Sequence, residues 1–172
     1  PHHEDEIAQS EGAGIQESGK RFVKYWLHGS HLLVEGKKMS KSLGNFFTLR
    51  DLIEKGSTGR EIRYLLVSAH YRETFNFTLA GLEGARTALA RLDECFLKLK
   101  ETAGDASAEP SSGILAEFQE AMDADLNISK AWGRIFEWVR ELNRKLGEGQ
   151  LSSPEAAAEF AAWQRISQSL GI

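Results

Sequence analysis

The sequence predicts a mainly α protein, with a short β-hairpin near its start and an antiparallel helical bundle after it. Three observations point there. Apolar residues recur at helical spacing through most of the second half. Helix-start signals, Thr48 with Asp51, Thr58 with Glu61 and Ser152 ahead of Pro154, precede those stretches. Residues 22–36 alone combine aromatic and β-branched side chains densely enough for strands. A length of 172 residues suits one domain, or a compact domain with part of another. With 41% hydrophobic and 27% charged residues, a disordered or collagen-like chain is excluded.

Taken in order, Pro1-His2-His3-Glu4-Asp5-Glu6 runs straight into Ile7-Ala8-Gln9-Ser10, and Gly12, Gly14 and Gly19 then mark a loop. Phe22–His28 and His31–Gly36 are expected to be two strands turning at Gly29-Ser30, followed by a lysine- and serine-rich loop that Gly44-Asn45 closes. Thr48 and Asp51 open a short helix that ends at Gly56. The helix after Thr58 places Ile62, Leu65, Leu66 and Ala69 on one face. A long helix starts near Leu79, with Leu82, Ala85, Leu89, Leu92, Phe96 and Leu99 in register, and residues 102–113 form a connection. Three amphipathic helices complete the bundle. The first carries Leu115, Phe118 and Met122; the second carries Ile128, Trp132, Ile135, Val139, Leu142 and Leu146, with Gly147 as its stop; the third carries Phe160, Trp163, Ile166 and Leu170.

The net charge of −4 conceals an asymmetry. Residues 20–72 hold 11 lysines and arginines against four acids, a local +7 that leaves −11 on the rest. A basic surface of this size attracts phosphates whatever the average charge. No apolar run is long enough to span a bilayer, so no membrane partner is expected. The single cysteine, Cys95, excludes an internal disulfide and is read as a small buried hydrophobe; a reducing, cytoplasmic setting is the expectation. Trp132, Trp138 and Trp163 are read as core, and His28 and His31 as packing for the hairpin.

Lys38-Met39-Ser40-Lys41-Ser42 is the most informative string. Two lysines three apart in a Ser/Gly-containing loop can address one polyanion, with hydroxyls and backbone N–H groups adding hydrogen bonds. Gly36 and Gly44 on its flanks would let such a loop close over a ligand. Followed by Leu43-Gly44-Asn45-Phe46-Phe47, the pentapeptide resembles the signature loop of class I aminoacyl-tRNA synthetases. Pro1-His2-His3-Glu4, Glu6-Ile7-Ala8-Gln9-Ser10, Tyr25-Trp26-Leu27-His28 and Ser68-Ala69-His70-Tyr71-Arg72 narrow the resemblance to the cysteinyl-tRNA synthetase family, and Asp125-Leu126-Asn127 and Val139-Arg140-Glu141-Leu142-Asn143 resemble that family's helical bundle.

The resemblance implies the tail end of a Rossmann-type catalytic domain over residues 1–46, a helical connector at 47–76 and a tRNA-binding helical bundle at 77–172. It implies ATP, L-cysteine and the cysteine tRNA as partners of a monomeric enzyme, with Mg2+ accompanying ATP. Lys41 and Lys38 would be catalytic, stabilising charge on departing pyrophosphate, and Lys38, Met39, Ser40, Lys41 and Ser42 would bind ATP. His2 and Glu6 match the family's histidine and glutamate zinc ligands, the other two being cysteines absent from this sequence. Their i, i+4 spacing puts both on one helix face. Such a metal separates cysteine from the nearly isosteric serine because thiolate is the softer ligand. Arg63, Tyr71 and Arg72 are candidates for contact with tRNA.

Two alternatives stand beside this reading: the related ligase that joins cysteine to an amino-sugar in mycothiol synthesis, and a free-standing helical RNA-binding or interaction module. The family's histidine-rich ATP motif and its C-terminal anticodon-reading domain find no counterpart here, so the chain reads as a middle-to-C-terminal piece cut at both ends. This piece alone is expected to bind zinc weakly at best and to show no aminoacylation, a result that an ATP–pyrophosphate exchange assay on the purified chain would check.

Overall fold

A computed structural model describes residues 2–14 and 21–172. Gly19 and Lys20, read above as part of a loop and of the basic stretch, lie outside the described residues. Helix α1 (His2–Gly12) opens the chain and contains no buried residue. Strand β1 (Leu32–Val34) turns into β2 (Lys37–Lys38), and a short 3-10 turn spans Lys41–Leu43. Helices α2 (Leu49–Glu54) and α3 (Gly59–Leu66) follow, then β3 (Phe75–Phe77). The bundle comprises α4 (Leu79–Ala103), α5 (Ser112–Asp123), α6 (Ile128–Gly147) and α7 (Ser153–Leu170).

The expected hairpin is displaced. Residues 22–31 form no strand; the turn falls at Glu35-Gly36, where both residues have positive φ (51° and 74°). A two-residue turn of that kind matches the right-handed twist of its flanking strands, which a turn at Gly29-Ser30 does not do here. Phe22, Trp26 and Leu27 are instead exposed. The third strand was invisible to the sequence reading. β3 lies parallel to β1, with Leu33 opposite Asn76, giving the order β2-β1-β3. A parallel pair requires a crossover, and α2 with α3 provides it.

The two capping boxes form as the sequence predicts: Asp51 and Glu61 accept from the N–H groups of Thr48 and Thr58 at 2.7 and 2.8 Å. α3 ends sooner than expected. Tyr64 takes the inward face with Ile62 and Leu65, whereas Leu66 is exposed and Ala69 lies beyond the helix. Glu61 is buried but satisfied, since Arg86 of α4 donates to it at 2.9 Å; that guanidinium and the Thr58 N–H hold its carboxyl below the usual carboxylate range. Arg86 also donates to the Gly56 carbonyl at 3.3 Å, so one side chain ties α3 and the link that precedes it to α4.

The four bundle helices run alternately up and down. Lys130 and Arg134 of α6 pair with Glu120 and Glu117 of α5, and Trp163 of α7 stacks on Phe96 of α4 at 4.2 Å. Leu92, Leu99, Ile135, Leu142, Ile166 and Cys95 are fully enclosed. Burial pushes the Cys95 thiol up to about 11, as suits an inert core residue. Trp132 is likewise core and its indole N–H donates to the Val67 carbonyl (3.1 Å), whereas Trp138, read as core, is only half-buried against it and donates to Glu159 (3.0 Å). α6 ends on Gly147 as expected, while the left-handed residue that turns the chain away is Gly149 (φ 66°). Leu92→Ala is expected to cost about 2–5 kcal/mol, because the enclosed helices cannot close the void; urea unfolding monitored by circular dichroism checks it.

Candidate functional site

The lysine loop is held at its base and open at its tip. The hairpin turn is fixed from outside: Glu35 N–H donates to the Phe77 carbonyl (2.9 Å), Gly36 N–H to Asn76 Oδ1 (2.8 Å), and the Glu35 carboxylate accepts from Leu79 N–H (2.9 Å) at the start of α4. Lys38 therefore ends a strand, while Lys41 sits in the 3-10 turn that Gly44 closes in the left-handed region (φ 66°). Both lysines are exposed and, among the described residues, neither has a carboxylate partner; the Lys41 ammonium lies 5.5 Å from the centre of the Phe46 ring. The Ser40 and Ser42 hydroxyls bond each other at 2.8 Å. Met39 points the other way, into an apolar pocket of about 270 Å³ shared with Val34, Phe47, Leu52, Ile62 and Phe77. Gly36 and Gly44, read as closure hinges, thus both serve fixed turns.

On α1, His2 Nε2 and Glu6 Oε1 face each other at 3.7 Å, so the two predicted metal ligands share one helix face. Two such donors are fewer than the four a tetrahedral site takes, and among the described residues no group of three or more His, Cys, Asp or Glu is placed to hold a metal ion. His28 does not pack the hairpin. It stacks on His3 with centroids 4.5 Å apart, its Nε2 is 2.9 Å from His3 Nδ1, and Trp26 covers His3 at 4.9 Å. That contact spans 25 residues, so no local pattern announced it.

The three candidate tRNA residues all have intramolecular partners. Arg63 Nε donates to the Leu170 carbonyl at 2.7 Å, at the C-terminus of α7, where a cation also meets the negative end of the helix dipole. The guanidinium leaves no room for a Cβ at Gly171, whose φ of 68° also calls for glycine. Tyr71 Oη and Arg72 Nε both donate to the Asp125 carboxylate at 2.7 Å, and His70 Nε2 lies 2.8 Å from the Asp125 carbonyl. Asp125 was legible as part of a motif, but its role was not, because its partners lie more than 50 residues away.

The cationic loop thus sits on a β-ribbon, beside a crossover to a parallel strand and ahead of four packed helices. A family profile described as tRNA synthetases class I (C) catalytic domain matches residues 1–87, and one described as DALR domain matches 117–172. The chain belongs to the class I tRNA synthetase family, in its cysteine branch. It is 43% identical to a cysteine–tRNA ligase of Protochlamydia amoebophila over the whole chain and 36% of that relative, and 47% identical to one of Chlamydia muridarum over 94% of the chain and 34% of the relative. A third, from Solibacter usitatus, is 48% identical over 94% of the chain and 35% of the relative. The chain thus spans about a third of the length of the curated relatives it matches.

Asp125 joins the part of the chain matched by the catalytic profile to the part matched by the helical one. Hydrogen bonds from Arg72 first and Tyr71 second hold its carboxyl below the usual carboxylate range. A depressed folded-state value gives stability that is present above the ordinary carboxylate range and lost as pH falls through the depressed one. Asp125→Asn, which keeps a residue tolerant of positive φ, is expected to lower the melting temperature at pH 7, and its deficit should shrink below pH ~4. Melting curves from pH 7 to pH 2 check this; a deficit independent of pH would assign the loss to packing.

Proposed function

We propose that the protein of which this chain is part activates L-cysteine with ATP and transfers it to the cysteine tRNA. The single observation that carries this reading is the lysine loop: two exposed ammonium groups that have no carboxylate partner among the described residues, on a loop anchored at its base, in a chain of this family. The amino-acid carboxylate attacks the α-phosphate, the bond to the bridging oxygen breaks, and pyrophosphate leaves with growing negative charge. Lys41, with Lys38, stabilises that charge, and Met39, Ser40 and Ser42 complete the wall of the ATP site. Mg2+ travels with the nucleotide. The adenylate's carbonyl is then attacked by a ribose hydroxyl of the terminal adenosine, and AMP leaves.

His2 and Glu6 fit half of a zinc site, with the imidazole and carboxylate on one face 3.7 Å apart. When bound, zinc would supply a soft Lewis acid for the substrate thiolate. The work divides between the end of a catalytic domain at 1–46, a connector at 47–76 and a tRNA-binding bundle at 77–172. Arg63, Tyr71 and Arg72 lie beside the tRNA backbone in this reading, with Arg72, its side chain 64% exposed, offering the cationic edge. The enzyme is read as a monomer of the cytoplasm; no described helix is long and apolar enough to cross a membrane. The amino-sugar ligase and the free-standing module are not favoured, since the relatives carry the name cysteine–tRNA ligase and their likeness runs through both halves of the chain.

In the full-length enzyme, Lys41→Ala is expected to slow ATP–pyrophosphate exchange about a hundredfold while cysteine affinity changes little. Exchange kinetics with cysteine titrated separately check this, and an unaltered rate would refute the role of Lys41.

A further inference from the structure

The neck of the lysine loop is set by one side chain to which the mechanism above gives no part. Asn45 Oδ1 accepts from the Ser40 N–H at 2.9 Å, and its Nδ2 donates to the Val34 carbonyl at 3.1 Å and the Lys38 carbonyl at 3.2 Å. Both amide N–H groups are used, each on a carbonyl, and the amide oxygen meets an N–H. The partners fix which end of the carboxamide is which. Aspartate at this position would lose both donors and turn oxygen against two carbonyls. The three anchored groups lie on β1, at the end of β2 and inside the loop, so one residue pins the backbone on both sides of Met39. Met39 itself is seated in the apolar pocket beneath. What stays free is the tip, where Lys41 rests over Phe46.

We propose that Asn45 is the positioning residue of the lysine loop: its carboxamide ties Ser40 to Val34 and Lys38, so that both ammonium groups approach one triphosphate from a preset neck. This rests on the nucleotide-binding reading above. Asn45 touches no phosphate; it acts through the backbone that carries Lys38 and Lys41. Its loss therefore weakens the interaction with ATP and leaves cysteine recognition alone, whereas a residue that merely kept the fold would reduce the active fraction for both substrates alike.

The test uses the full-length enzyme with Asn45→Ala and Asn45→Asp, with Lys41→Ala alongside, in ATP–pyrophosphate exchange with each substrate titrated separately. The expected result is a KM for ATP raised about tenfold in both Asn45 variants, the size of a few lost hydrogen bonds, with the KM for cysteine unchanged. Asn45→Asp has nearly the shape of the native residue and serves where the alanine variant fails to fold. If Lys41→Ala slows exchange but both Asn45 variants keep the ATP KM within twofold, or raise both KM values equally, the positioning role is overturned and the nucleotide reading stands. If Lys41→Ala itself leaves exchange unchanged, the nucleotide reading falls and takes this role with it.

Discussion

Strand β1 is three residues long, and most of what is distinctive here hangs on its being paired along both edges. On one side it meets β2 through the Glu35-Gly36 turn, which leads into the lysine loop. On the other it meets β3 in parallel, with Leu32, Leu33 and Val34 opposite Phe75, Asn76 and Phe77. A two-stranded ribbon this short is marginal in water, and the third strand together with the helices beneath it gives the ribbon a hydrophobic face. Val34 and Phe77 are buried in that face with Leu52 and Ile62, so the loop is carried by the core and not by a free-standing hairpin. The Ser30 and Phe75 N–H groups extend the same attachment by donating to the Tyr71 and His31 carbonyls at 2.7 and 3.2 Å.

The bundle reaches that sheet from two directions. Glu35 caps the first turn of α4, so the hairpin turn and the longest helix share one carboxylate. Asp125 meets the segment just before β3. Asp125 and Leu126 both have positive φ, 59° and 55°, an arrangement that side chains other than glycine, asparagine and aspartate rarely adopt. It is held by N–H groups of Leu126 and Asn127 returning to the Met122 and Ala121 carbonyls at 2.9 Å, while the Asn127 side chain caps α6 by accepting from Lys130 N–H at 3.0 Å. The strained turn aims a carboxylate at Tyr71 and Arg72. Charge-assisted hydrogen bonds of this length are stronger than neutral ones, which gives the turn a reason to persist.

Hydrogen-bond anchoring therefore increases from the loop tip inward. The neck of the lysine loop uses backbone groups that are tied to Asn45, the sheet is tied to α4, and the sheet's flank is tied to the turn before α6. The tip keeps exposed cations and a pair of hydroxyls bonded only to each other.

Features set by local chemistry were legible in the residues alone. The capping boxes at Thr48 and Thr58, the apolar stripes of α4, α6 and α7, the burial of Cys95 and the cationic pentapeptide all follow from residues within a few positions of one another. The hairpin was misplaced because Glu35 adopts positive φ, which its residue type does not advertise. The contacts that cross long stretches of chain came from the fold: β1 with β3, His3 with His28, Arg63 with Leu170, Asp125 with Tyr71 and Arg72. Each of these joins groups that no periodicity links, and burial around a shared core brings them within hydrogen-bonding or stacking range.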